Sequence, residues 1–104
     1  MNILDELFQI IKDRASADPE DSYVASLYSK GTEKIAQKVG EETTETIIEA
    51  VTGNTEKLKE ESADLLFHLM VLWADQGIAP EDVYAILESR FGTGGHEEKK
   101  GRIS

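Results

Sequence analysis

The sequence contains no cysteine, only two prolines, and no apolar run long enough to cross a membrane. Each absence excludes something. Without thiols no disulfide can staple the fold, a condition that fits a reducing cytosol, and the chain is expected to be cytoplasmic. With so few prolines, long helices can run unbroken. The segment from Met1 to Ile11 has no basic stretch, and Asp5 and Glu6 interrupt its apolar residues, so no secretory signal is expected there. Positive charge is also scarce: 11 Lys and Arg stand against 21 Asp and Glu, a formal net charge of −10. A surface so acidic does not bind nucleic acid through its phosphates, and any polyanionic ligand must arrive with cations. At 104 residues the chain makes one domain and buries a modest fraction of its surface. Oligomerisation, to a homodimer or higher, is then the expected source of further burial.

What is present is helical periodicity. Leu4, Leu7, Phe8 and Ile11 follow the i, i+3, i+4, i+7 pattern of one apolar face, predicting a helix from Ile3 to Ala15 with Asn2 as its N-cap. Asp18-Pro19-Glu20-Asp21 reads as a turn. Ser22 to Gly31 is ambiguous between a helix and a loop with a helical turn, in which Tyr23, Leu27 and Tyr28 can pack. A long helix is predicted over Thr32–Val51 and another over Thr55–Asp75, with Gly53 breaking between them and Asn54 capping the second. A last helix opens with Pro80, followed by Glu81 and Asp82 where the helix dipole favours acids, and ends near Phe91. The predicted architecture is an all-α bundle of short-looped helices over residues 1–91, with a Gly- and Lys-rich mobile tail over 92–104.

The acids are not evenly spread. On the Thr32–Val51 helix, Ile35, Val39, Thr46 and Ala50 form the inward stripe, with Glu42 and Glu49 at its edge. Lys38, Glu42, Glu45 and Glu49 share one narrow face at spacings of four, three and four. Like charges so placed repel, so this face is unfavourable without a cation. From Ala63 to Ala74 the next long helix is apolar apart from Asp64 and His68, which predicts a helix buried all round. Glu61, Asp64 and His68 lie on one face of it. Two facing helices thus each bring an acidic pair, Glu42 with Glu45 and Glu61 with Asp64. Four carboxylates in a bundle core make an all-oxygen metal site, which suits Mg²⁺ or Mn²⁺ rather than zinc. Other readings compete at single positions. Glu41, Glu49 and Glu60 suit a solvated face, and Asp64 can be a buried partner of a lysine. His68 fits best as a hydrogen-bond donor to a carboxylate. Phe67, Met70 and Trp73 are core. Lys34 and Lys38 can either pair with glutamates along the helix or contact phosphates.

Glu41-Glu42-Thr43-Thr44-Glu45 followed by Glu61-Ser62-Ala63-Asp64 matches EExxE…ExxD, and here the chain resembles the all-α nucleotide pyrophosphohydrolases, the MazG-like superfamily. Ile35-Ala36-Gln37-Lys38-Val39-Gly40-Glu41-Glu42, Ala63-Asp64-Leu65-Leu66-Phe67-His68-Leu69, Ser22-Tyr23 and Gly95-His96-Glu97-Glu98-Lys99 narrow the resemblance to the phosphoribosyl-ATP pyrophosphatase family. Thr43 and Thr44 stand where that pattern has small apolar residues. The resemblance implies hydrolysis of phosphoribosyl-ATP to phosphoribosyl-AMP and pyrophosphate, the second step of histidine biosynthesis. Glu42, Glu45, Glu61 and Asp64 would hold Mg²⁺, Glu41 or Glu42 would act as general base, and Lys38 and Lys34 would stabilise charge on phosphate oxygens. Arg90, Lys99 and Lys100 would fold over the substrate. Two alternatives stay open: a house-cleaning nucleoside triphosphate pyrophosphohydrolase, and an acidic helical binding module without catalysis.

Overall fold

The computed structural model describes residues 2–92, which form five helices: α1 Ile3–Arg14, α2 Tyr23–Lys30, α3 Thr32–Val51, α4 Thr55–Asp75 and α5 Pro80–Phe91. No strand occurs among the described residues. The expected tail, with Gly95, His96, Lys99 and Lys100, lies outside them from residue 93 onward. The ambiguous segment after the Pro19 turn is a helix. Ser22 caps it, its Oγ accepting from the Ala25 amide at 3.2 Å. No loop separates α2 from α3. Gly31 alone turns the chain, at φ 91° and ψ 173°, a region that a residue with a Cβ rarely enters.

The expected caps are in place. Asn2 accepts from the Asp5 amide at 2.9 Å, and Asn54 from the Lys57 amide at 3.1 Å. At α5 the bond runs the other way, the Ala79 amide donating to Asp82 Oδ2 at 2.9 Å. These local signals set α3 and α4 as an antiparallel hairpin, the most extensive packing in the molecule. Its open end is tied where Thr32 Oγ1 donates to Asp75 Oδ2 at 2.7 Å.

α1 and α2 cover one half of that hairpin. The core lies there: Phe8 and Ile11 of α1, Val24 and Leu27 of α2, Ile35 of α3, and Met70 and Val71 of α4. Each such side chain, fully buried, contributes about 1.5–3 kcal/mol. Trp73 and Phe67 pack against this cluster from its margin. The other half is barely covered. Ile47, Ile48 and Val51 of α3 are exposed, Val51 at 80 %, and so are Ile86 and Leu87 of α5. Two expectations are corrected here. The inward stripe of α3 holds at Ile35, fades to half-buried at Val39 and Thr46, and fails at Ala50, which is exposed. Within one chain α4 is not buried all round either: Met70, Val71 and His68 are buried, whereas Ala63, Asp64 and Leu66 are exposed. The cause is the same for both: α1 and α2 are too short to reach beyond the Gly31 end of the hairpin.

Candidate metal centre

Glu42 and Glu45 are three residues apart on α3, so their side chains leave the helix on neighbouring sides of one face. The antiparallel hairpin brings Glu61 of α4 against them. One carboxylate oxygen from each of the three lies within 4.8 Å of the others. Glu42 is not at the edge of the inward stripe, as the helical wheel suggested, but buried, with 7 % of its surface exposed. Oε2 of Glu42 and Oε2 of Glu61 are both buried without any hydrogen-bond partner. A buried carboxylate oxygen left unpaired is costly, and three converging carboxylates compound that cost.

The electrostatics carry the same signature. Glu61 is pushed up to about 7, first by the Glu45 carboxyl, close enough to share its proton. Burial adds to this, as do the charges of Glu45, Glu42 and Asp64. Burial likewise pushes Glu42 upward, followed by the charge of Glu45 and partly offset by His68. A shared proton is how such a cluster lowers its repulsion when no cation is bound. The alternative neutraliser is a divalent cation. Three hard oxygen donors, two with free valences aimed inward, suit Mg²⁺ or Mn²⁺.

The other expected site residues fall around this cluster. Asp64 lies outside the three-carboxylate group and is exposed, yet close enough for its charge to raise both Glu42 and Glu61. Exposure also removes the reading of Asp64 as the buried partner of a lysine. Glu41 points to solvent. Gln37 Nε2 donates to it at 2.7 Å and Lys38 Nζ at 3.2 Å, and these bonds hold its carboxyl below the ordinary range. Lys38 therefore makes a helix pair with Glu41, which in turn raises its own pKa. Lys34 is half-buried one turn earlier, near enough to act on Glu41. Arg90 sits in the last turn of α5, a helix that packs on α1. Lys99 and Lys100 fall outside the described residues.

His68 differs from expectation. It does not bond a carboxylate side chain. Its Nδ1 lies 2.8 Å from the main-chain oxygen of Asp64 and its Nε2 2.8 Å from the Tyr23 hydroxyl. Tyr23, read in the sequence as a packing residue and as part of the family resemblance, was missed there as the partner of His68. The available signal was Ser22, whose capping makes Tyr23 the first residue of α2 and aims it at α4.

Residues 4–91 match the phosphoribosyl-ATP pyrophosphohydrolase family. The chain is similar to a phosphoribosyl-ATP pyrophosphatase of Azospirillum brasilense, 55 % identical over 98 % of this chain and 92 % of that protein. Another, of Geobacter sulfurreducens, is 52 % identical over 97 % of this chain and 94 % of its relative. A third, of Cereibacter sphaeroides, is 47 % identical over 98 % and 99 % of the two chains.

Proposed function

The chain belongs to the phosphoribosyl-ATP pyrophosphohydrolase family, and we propose that it hydrolyses phosphoribosyl-ATP at the α–β phosphoanhydride, giving phosphoribosyl-AMP and pyrophosphate in the second step of histidine biosynthesis. The observation that carries the reading is the cluster of Glu42, Glu45 and Glu61 with its unpaired buried oxygens. A protein of net charge −10 attracts a triphosphate only where cations intervene, and this cluster is where they would be held.

Glu42, Glu45 and Glu61 would hold Mg²⁺, with Mn²⁺ as a substitute, and Asp64 would complete the donor set from the rim. A divalent cation bound there supplies Lewis acidity, neutralising polyphosphate charge and making water a better nucleophile. The remaining steps belong to side chains. Glu41 is engaged by Gln37 and Lys38 on the solvent side, whereas Glu42 faces inward with an unpaired oxygen. Of the two candidate bases, Glu42 would then be the one to accept a proton from an attacking water. Lys38, swinging from Glu41 to substrate, and Lys34 one turn away would stabilise charge developing on the phosphates. Arg90 and Lys99 would add cationic contacts to the nucleotide.

The test is pyrophosphate release from phosphoribosyl-ATP and from the common nucleoside triphosphates, with Mg²⁺ and with excess chelator. Selective, Mg²⁺-dependent turnover of phosphoribosyl-ATP is expected. Equal turnover of ordinary triphosphates would favour a house-cleaning role, and full activity in chelator would remove the cluster from the mechanism.

The same reading includes a homodimer in the cytoplasm. Ile47, Ile48 and Val51 of α3 and Ile86 and Leu87 of α5 are exposed apolar side chains that a second copy of the chain would cover. Light scattering at micromolar concentration should give at least twice the chain mass of 11.5 kDa, and a monomer would contradict the assignment.

A further inference from the structure

Tyr23 is 50 % exposed, although Ser22, Val24, Ala25 and Leu27 around it in the chain are all buried. Its placement is nonetheless fixed. The hydroxyl and Nε2 of His68 share a hydrogen bond at 2.8 Å, whichever of the two donates. Phe67 stacks on one face of the ring, with centroids 6.1 Å apart and planes within 22°, and His68 meets it edge-on at 84°. The exposed part is therefore the face turned away from Phe67. A ring held for packing alone gains most by burying both faces. This one is fixed in place with one face left to solvent.

The bond to His68 also fixes where that face lies. His68 follows Glu61 on α4 by two helical turns, about 10 Å along the same side of the helix. One turn back toward Glu61, the main-chain oxygen of Asp64 bonds His68 Nδ1 at 2.8 Å. The Tyr23 ring thus stands beside the side of α4 that carries Glu61, at a separation comparable to that between the phosphates of a nucleotide and its base. The carboxylate cluster provides for the polyphosphate. A nucleotide also brings a flat aromatic ring, which needs an apolar surface of its own.

We propose that Tyr23 is a substrate-binding residue: the free face of its ring stacks on the adenine of the nucleotide whose phosphates sit at Glu42, Glu45 and Glu61. Every base has such a face, so the platform separates base-bearing substrates from inorganic polyphosphates rather than one base from another. The inference rests on the reading of the cluster as the polyphosphate site. The competing role for Tyr23 is a plain latch between α2 and α4, in which the hydroxyl matters and the free face does not.

Steady-state kinetics of the full chain on phosphoribosyl-ATP, with Mg²⁺ in excess and inorganic tripolyphosphate as a base-free inhibitor, separate these. Tyr23→Phe keeps the ring and removes the hydroxyl, and its KM should stay within about twofold of wild type. Tyr23→Leu removes the ring. Its KM should rise about tenfold, the scale of one aromatic–base stack, with kcat changed little, because the base is held alike in the ground and transition states. Tripolyphosphate should inhibit all three proteins equally. An unchanged KM in Tyr23→Leu would overturn the proposal. So would a loss of tripolyphosphate inhibition as large as the rise in KM, which would mean a distorted phosphate site. A KM raised as far in Tyr23→Phe would leave the latch instead. A wild type that does not turn over phosphoribosyl-ATP would bring down the proposed function and the platform with it, whereas the other failures concern Tyr23 alone. Should Tyr23→Leu melt too low to assay, nuclear Overhauser contacts between the Tyr23 ring and the base protons of bound phosphoribosyl-AMP decide in the wild type: their presence supports the platform and their absence overturns it.

Discussion

The two halves of the α3–α4 hairpin are built from one continuous pair of helices and do opposite things. At the Gly31 end, Ile35, Met70 and Val71 are closed over by α1 and α2, and Ile35 and Val71 have no exposed surface at all. Beyond Val39 the same helices turn toward each other not methyl groups but carboxylates, Glu42 and Glu45 against Glu61, two of them with orphaned oxygens. The first half lowers the free energy of folding. The second raises it in the absence of a cation, through repulsion and desolvation. The candidate site is a place where the packing rule of the neighbouring half is locally broken, and a bound cation would restore the balance.

The comparison is sharpest at Glu61. Glu61→Gln should lower turnover by on the order of 10³-fold, the scale of removing a preorganised electrostatic group. Its metal-free melting temperature should stay at or above that of the wild type, since a repelling carboxyl has gone. A variant that melts well below wild type in chelator and keeps its turnover would place Glu61 with the core instead. In the covered half the reverse is expected. Ile35→Ala should cost about 2–5 kcal/mol in denaturant unfolding, with kcat per folded molecule nearly unchanged. A stability loss well below that range would mean that the two halves are not energetically distinct.

The pH dependence separates the halves next. Because Glu61 is raised to about 7, the metal-free fold binds more protons than the unfolded chain between the ordinary glutamate range near 4.5 and pH 7. Stability from this group is fully present below about pH 4.5 and lost as pH rises through 7. Metal-free protein should therefore melt higher at pH 5.5 than at pH 8, and Glu61→Gln should abolish much of the difference. Mg²⁺ competes with the shared proton, so its stabilising shift should grow over the same interval. A metal-free melting temperature that climbs from pH 5.5 to 8 would contradict the raised value.

The smallest effect is expected at Asp64. It is exposed and outside the three-carboxylate group, so Asp64→Asn should leave the metal-free melting temperature at or slightly above wild type. It should weaken the Mg²⁺ shift less than Glu61→Gln does. An Asp64 effect on Mg²⁺ binding equal to that of Glu61 would make it as central a donor as Glu61 and contradict its place at the rim.

Much of this was legible without coordinates, and the reason is range. Capping by Asn2 and Asn54, the break at Gly53 and the opening at Pro80 depend on residues within one helical turn. The bounds of α3, α4 and α5 follow directly from them. The spacing of Glu42 and Glu45 is also local, and the repulsion it implies called for a cation whatever the fold. Tertiary structure decided what lies between elements. It showed that α1 and α2 cover only half of the hairpin, so that Asp64 and Ala50 are exposed although their helices read as buried there. It buried Glu42 more deeply than its wheel position suggested, and it turned His68 from a carboxylate toward Tyr23, 45 residues away in sequence. Helical periodicity states which residues share a face; which neighbour covers that face depends on helix lengths and crossing positions, and these are set by contacts between residues far apart in the chain.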